Sequence, residues 1–219
     1  MTQSQVVDAL IRNVQAIHTD ESRFDEDFVA AEIHTIRGVA MAQYFQKFKR
    51  ISPLWLQTLD LTYDPLLQED LPDPSICITK YELPQYIQLD GRQDGVSYLG
   101  NDKNQSFRRI RTRAELSTLK KHPRLNPSNG NYVGVLTDNT FVEVYATTKI
   151  KRLLVSLILA DPNDDPAYNY QVDPYPISVD LLPLMTDQLM KVYFNRMAAI
   201  PVDTAPNKID VPLQIPSRR

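Results

Sequence analysis

Apolar positions in the first fifty residues recur at helical spacing. Val6, Val7, Leu10, Ile11, Val14 and Ile17 fall three or four apart behind Thr2 and Gln5, which have the spacing of a capping box, so a short amphipathic helix is expected. A polar stretch follows, and Ser22 with Asp25 offers a second cap. Phe24, Phe28, Val29, Ile33, Ile36, Ala40, Tyr44 and Phe48 then extend a second stripe over residues 22–50, until SPLW stops it. Asp25, Glu26 and Asp27 open this helix and Lys47, Lys49 and Arg50 close it, which complements the helix dipole. A third helix is expected near the end. There Asp180 caps LLPLMTDQLMKVYFNRMAA, Pro183 is tolerated in the first turn, and Leu181, Met185, Leu189, Val192, Tyr193 and Ile200 share a face.

Between the second and third helices the period changes. Trp55 to Thr62, Ser75 to Tyr81, Tyr86 to Leu89 and Val96 to Leu99 are short runs rich in β-branched and aromatic residues, separated by LPDP and DGRQDG. NYVGVLTDNTFVEVYA reads as a hairpin turning at Asp138-Asn139, and the nearly continuous apolar strand KRLLVSLILA follows it. A capping box at Thr112 and Glu115 predicts one short helix, RAELSTLKK, among the strands. The expected class is α+β: a helical bundle of two N-terminal helices and one C-terminal helix, with an inserted antiparallel β domain. The boundaries fall at 1–53 and 178–200 for the helical part and 54–177 for the β part.

The last nineteen residues, PVDTAPNKIDVPLQIPSRR, follow neither pattern. Four prolines exclude a helix or an inner strand, yet Val202, Ile209, Val211, Leu213 and Ile215 are too apolar for a solvated tail. Residues 201–219 are therefore expected to be an extended arm that needs a dry surface.

With 219 residues, 42% hydrophobic and 23% charged, the chain can bury a sizeable core. The longest apolar run, Leu153 to Ala160, is too short to span a bilayer and is flanked by Lys151, Arg152 and Asp161. MTQSQVVDALIRN lacks the basic start and apolar centre of a signal peptide. A single cysteine, Cys77, excludes an internal disulfide and reads as a buried structural thiol in SICITKY. A net charge of −3 and a pI near 5.6 argue against general affinity for nucleic acid, which requires a basic surface to release counterions.

Catalytic signatures are missing. The sequence contains no GxSxG, Walker loop, GxGxxG or HExxH, and His18, His34 and His122 have no partner at ligand spacing. DPNDD at Asp161 to Asp165 starts like a calcium loop, but Pro166 stands where the turn glycine belongs and Val172 where the bidentate glutamate belongs. No cofactor and no metal are expected. Scattered carboxylates such as Glu82, Asp90 and Glu143 do not make a catalytic pair.

One charge cluster stands out. FRRIRTR carries Arg108, Arg109, Arg111 and Arg113, with Lys120, Lys121, His122 and Arg124 just beyond. A solvated strand-and-helix surface is the first explanation on these grounds; the next is a basic contact face for an acidic protein neighbour, and DNA phosphates come last. Aromatic residues for stacking on single-stranded bases are few here, Tyr98 and Phe107.

SPLWLQTLDL near Pro53, ELPQYIQLDGRQDGVSYLG at Glu82 to Gly100, LILADPNDDP, and YPISVDLLPLM leading into the last helix resemble the head–tail connector ring proteins of crAss-like and related podoviruses. More remotely, the chain is similar to the adaptor or gatekeeper rings of short-tailed phages. The resemblance implies a structural virion protein and no enzyme: a ring, typically a dodecamer, below the portal, extending the DNA channel from capsid to tail. It also implies partners: other copies of the chain, the portal protein, adjacent neck or tail rings, and genomic DNA in transit without sequence-specific binding. Assembly would take place in the host cytoplasm. Within this reading, Ile209, Val211, Leu213, Ile215, Arg218 and Arg219 are the candidate contacts of an assembly arm gripping a neighbouring subunit or the portal. Phe24, Ile33 and Met41 are candidate ring contacts on the long helix, because its apolar residues exceed one intramolecular face. Two other readings stay open: another tail or stopper ring of the same virion, and a monomeric β-rich binding module.

Overall fold

The computed structural model describes residues 1–17, 26–62, 77–90, 93–103, 105–110, 112–122, 124–137 and 140–199. The fold is α+β, as the sequence leads one to expect. Helix α1 (Gln3–Ile17) begins as its capping box predicts: Thr2 N donates to Gln5 Oε1 at 3.0 Å. It buries Val6, Val7, Leu10 and Val14 against α2 (Glu26–Phe48) and α4 (Leu182–Ala199). The cap expected at Ser22 and Asp25 lies outside the described residues.

Helix α2 is the centre of this layer. Val29, Ile33, Ile36, Arg37, Ala40, Met41 and Phe45 are buried, and at 3.6 residues per turn they cover about half the circumference. Such an arc is wider than one packing face because α1 and α4 cover one side of it while Ile87, Leu89 and Ile158 pack on it from the β part.

Helix α4 departs from its expected cap. Asp180 sits inside a 3-10 turn, Val179–Leu181, that leads directly into the α-helix, and the residue before this turn is Ser178. The Ser178 hydroxyl makes no cap; it accepts instead from Trp55 Nε1 at 3.2 Å. Trp55 is likewise not in a strand. It ends a 3-10 turn, Pro53–Trp55, capped by Ser52, and lies fully buried in the helical core.

The β part has two main sheets. In the first, β9 (Arg152–Leu157) runs between β1 (Gln57–Thr62) and β5 (Val96–Asn101), antiparallel to both. In the second, the order is β2 (Cys77–Glu82), β8 (Phe141–Ala146), β7 (Val133–Thr137) and β6 (Arg108–Ile110). A small β3–β4 ladder (Gln88–Asp90, Gln93–Asp94) stands beside them. The sheets stack through Leu59, Leu99, Val142, Val144, Leu153, Val155 and Leu157. Contact is close: a Cβ on Gly134 would come within 2.8 Å of Leu99 Cδ1.

Two features of the second sheet differ from the sequence reading. Thr137 pairs with Phe141, which leaves positions 138–140 between the hairpin strands, one more than the expected two-residue turn; Asp138 and Asn139 lie outside the described residues. The sheet is also mixed, because β6 runs parallel to β7. A parallel pair needs a crossover, and α3 (Arg113–Lys120) supplies it. Thr112 caps this helix as expected, its Oγ1 accepting from Glu115 N. Leu116 and Leu119 then close over Ile78, Ile110, Val133, Val135 and Tyr145 on the sheet's outer face.

The apolar run KRLLVSLILA now has a physical explanation. Along β9, Leu153, Val155 and Leu157 point between the sheets, while Arg152, Leu154 and Ser156 face outward. Just past the strand, Ile158 turns into the helical core and Leu159 returns to the sandwich. Alternation is lost from the sequence at the outward-facing, half-buried Leu154 and again at Ile158 and Leu159, where the chain passes between two cores.

Candidate assembly surfaces

The place where the helical layer meets the β part is polar at its centre. Arg37 on α2 is fully buried, and its Nη2 donates to the backbone carbonyls of Leu159 and, at 3.0 Å, Ala160. The guanidinium also lies over the Tyr175 ring, 5.3 Å from its centroid. Nε and Nη1 have no acceptor among the described residues. Burial pulls the pKa of Arg37 below its ordinary value, and an arginine so placed still carries its charge at neutral pH. One turn earlier, His34 Nδ1 and the Tyr175 hydroxyl are 2.9 Å apart, and His34 Nε2 is 3.7 Å from Asp161 Oδ1. Burial lowers the His34 pKa, with Asp161 opposing that shift and Arg37 reinforcing it. Burial also raises the Tyr175 phenol well above the usual range. Arg37 and Tyr175 are buried and His34 and Asp161 partly so, and the cluster ties α2 to the segments after β9 and around Tyr175.

A surface of opposite character lies at the end of the layer where α2 finishes. Met1, Leu54, Pro174, Tyr175, Ile177 and Val179 line a groove of about 230 Å³. Met1 reaches it because its carbonyl accepts from Tyr175 N at 2.8 Å. Leu54 reaches it because the 3-10 turn that buries Trp55 points its neighbour outward. Leu54 is 65% exposed and Val179 74% exposed. Single side chains as open as these occur elsewhere, Ile17 and Val172 among them; what is informative here is that they adjoin one another in a groove. No sequence pattern announces the groove, since its residues come from three separate places in the chain.

The candidates from sequence scatter. Ile33 and Met41 are both 0% exposed within the helical core; α1, α4 and the β part use up the apolar surplus that suggested ring contacts, and the outward apolar residues of α2 are Val39 and Phe48. Phe24 lies outside the described residues. Arg108 and Arg109 sit exposed on the edge strand β6, where Arg109 Nη1 donates to the Val96 carbonyl. Arg111 and the Arg113 side chain lie outside the described residues, as do Ile209, Val211, Leu213, Ile215, Arg218 and Arg219 of the arm.

In the DPNDD loop the carboxylates serve their own backbone. Asp161 Oδ1 accepts from Asn163 N at 2.9 Å, and Asp165 Oδ1 from Ala167 N at 2.9 Å. Among the described residues, no group of three or more His, Cys, Asp or Glu side chains is placed to hold a metal ion. Cys77 is half-buried rather than fully enclosed, with Sγ 3.9 Å from the Thr147 carbonyl. No described helix is long and apolar enough to cross a membrane.

No curated protein matches the chain. A family model does: the one described as phage tail ring protein 2, CrAss_Ring_2, matches residues 5–210, a span that takes in all but the first two residues of α1, both sheets and α4. The matched span includes every element that lines the groove except Met1 itself, and on that coverage the chain belongs to the crAss-like phage tail ring protein 2 family.

Proposed function

We propose that this structural tail ring protein assembles into a closed, dodecameric ring in the head–tail connector, joining portal to tail and extending the DNA channel. Membership of a tail ring family makes the chain a structural component of the virion; the level of the ring and its neighbours are our reading, as is the absence of enzymatic activity. The observation that carries it is the match of the tail ring family's model over residues 5–210, and the exposed apolar groove is one surface that such a ring can use. A closed ring needs two different patches on each subunit, related by a rotation. The apolar groove lies beside the start of α4, and residues 201–219 leave from its end. An 18-residue helix separates them, about 27 Å at 1.5 Å per residue.

The division of labour in this reading follows the chain. Residues 1–53 and 178–200 form a helical unit, 54–177 a β unit inserted into it, and 201–219 an assembly arm. Prolines in the arm reduce the entropy lost on ordering, so it binds at lower cost than a flexible tail would. Arg108 and Arg109 on the edge strand offer a basic face to an acidic neighbouring ring. DNA in the channel is passed without sequence-specific contact, since strong phosphate binding would obstruct transit.

The test is particle mass. Light scattering and negative-stain imaging of the full chain, alone and mixed with the portal of the same virion, should give a ring or a ring–portal complex. A monomer that ignores the portal would overturn the ring and favour the binding module.

A further inference from the structure

We infer that the groove of Met1, Leu54, Pro174, Tyr175, Ile177 and Val179 receives residues 209–215 of a second copy of this chain. The inference rests on the ring reading and adds to it the receiving surface. The groove is apolar and open on the outside of the molecule. The chain itself supplies a matching ligand. Ile209, Val211, Leu213 and Ile215 alternate, so they share one face of an extended segment, and Pro206, Pro212 and Pro216 keep that segment out of a helix. A segment of this kind binds by placing alternate side chains into pockets.

The ring reading favours a second copy over the same chain. Tyr193 near the end of α4 packs on Phe28 near the start of α2, with ring centroids 6.5 Å apart. At the other end Ser178 meets Trp55, beyond the finish of α2. The arm therefore starts at the end of the helical layer opposite the groove. To fill its own groove, the chain would have to spend residues 200–208 retracing α4, roughly 30 Å at about 3.3 Å per residue. Nine extended residues suffice for that path, and the same reach carries the arm to a subunit set beside it; only the second course joins two different patches in the head-to-tail sense a ring requires. Charge agrees with this direction: the exposed Asp180 adjoins Val179 at the groove rim, and the arm ends in Arg218 and Arg219.

The experiment uses full-length chains in which Cys77 is replaced by serine. One preparation carries Leu54→Cys and the other Leu213→Cys; they are mixed with the portal present, oxidised gently, and run on a denaturing gel. A covalent dimer containing one chain of each kind is expected, and a chain with both cysteines should give a ladder of multimers. Val179→Asp, at a position too exposed to affect folding, should reduce the cross-linked fraction at least tenfold, on the order of a lost hot spot. A link formed only within single chains would overturn the inference in favour of an arm folded back on its own subunit. Rings of full mass without any cross-link would overturn it while leaving the ring reading intact. Monomers without cross-links would sink both.

Discussion

The Arg37 junction and the groove, neighbouring regions that share Tyr175, both invert the usual distribution of side chains. At the Arg37 junction a full positive charge is enclosed, with only carbonyls and an aromatic face for company. At the groove, leucine and valine stand open to solvent. A buried charge costs several kcal/mol unless satisfied, and here Nη2 and the face of the guanidinium find their partners only when the segment after β9, the 175 region and α2 are all in place. That makes it a device for fixing one arrangement within the chain. Exposed apolar groups cost the monomer little and gain only when another surface covers them. The contrast separates what holds a subunit together from what holds subunits to each other.

Removing the buried charge should produce the largest effect. Arg37→Ala leaves the Leu159 and Ala160 carbonyls unpaired and opens a cavity, with an expected loss of about 3–5 kcal/mol of stability, measurable by urea denaturation. A loss below about 1 kcal/mol would mean that the junction is not the fastening described. The opposite pattern is expected at the groove. Leu54→Asp should leave the unfolding free energy within about 0.5 kcal/mol of the parent and yet abolish rings in negative stain. If it unfolds the monomer, the groove belongs to the subunit's own stability and the contrast fails.

The smallest effect concerns pH. His34 has its pKa lowered from 6.5 in the folded protein, chiefly by burial. The unfolded chain therefore takes up this proton first as pH falls through about 6.5, and stability declines below that value; above it, both states hold a neutral ring and the term vanishes. His34→Gln should flatten the decline in melting temperature between about pH 7 and pH 5. An unchanged slope would assign the decline to other groups.

How far the sequence was legible depends on the range of the signal. Local signals read well: the capping residues Thr2 and Thr112 stand where their side chains predict, and the stripes of α1, α2 and α4 are real helices. Signals that depend on what packs from a distance did not. Ile33 and Met41 look surplus on a helical wheel, because a wheel cannot show that the β part covers α2 from a second side. Thr112 and Glu115 mark a helix but not its role as a crossover, so the parallel β6–β7 pair was missed. Arg37 reads as one more surface cation in IRGV, with nothing nearby in sequence to reveal two carbonyls 122 and 123 residues away. The groove is the extreme case, assembled from positions 1, 54 and 174–179.

The pairing of β1 with β9 has a consequence in time. Gln57 is hydrogen-bonded in register with Leu157, so the first strand must wait for the last while the chain is being made. At about 5–20 residues per second of synthesis, roughly 5–20 s pass between their emergence. The β6–α3–β7–β8 portion is complete earlier and is joined by near-neighbour contacts, which form fastest. During that interval Leu59 lacks its partner strand and α2 has only part of its native cover, since α4 is still to come, and a nascent subunit is most open to wrong contacts with its siblings before it is able to make the right ones.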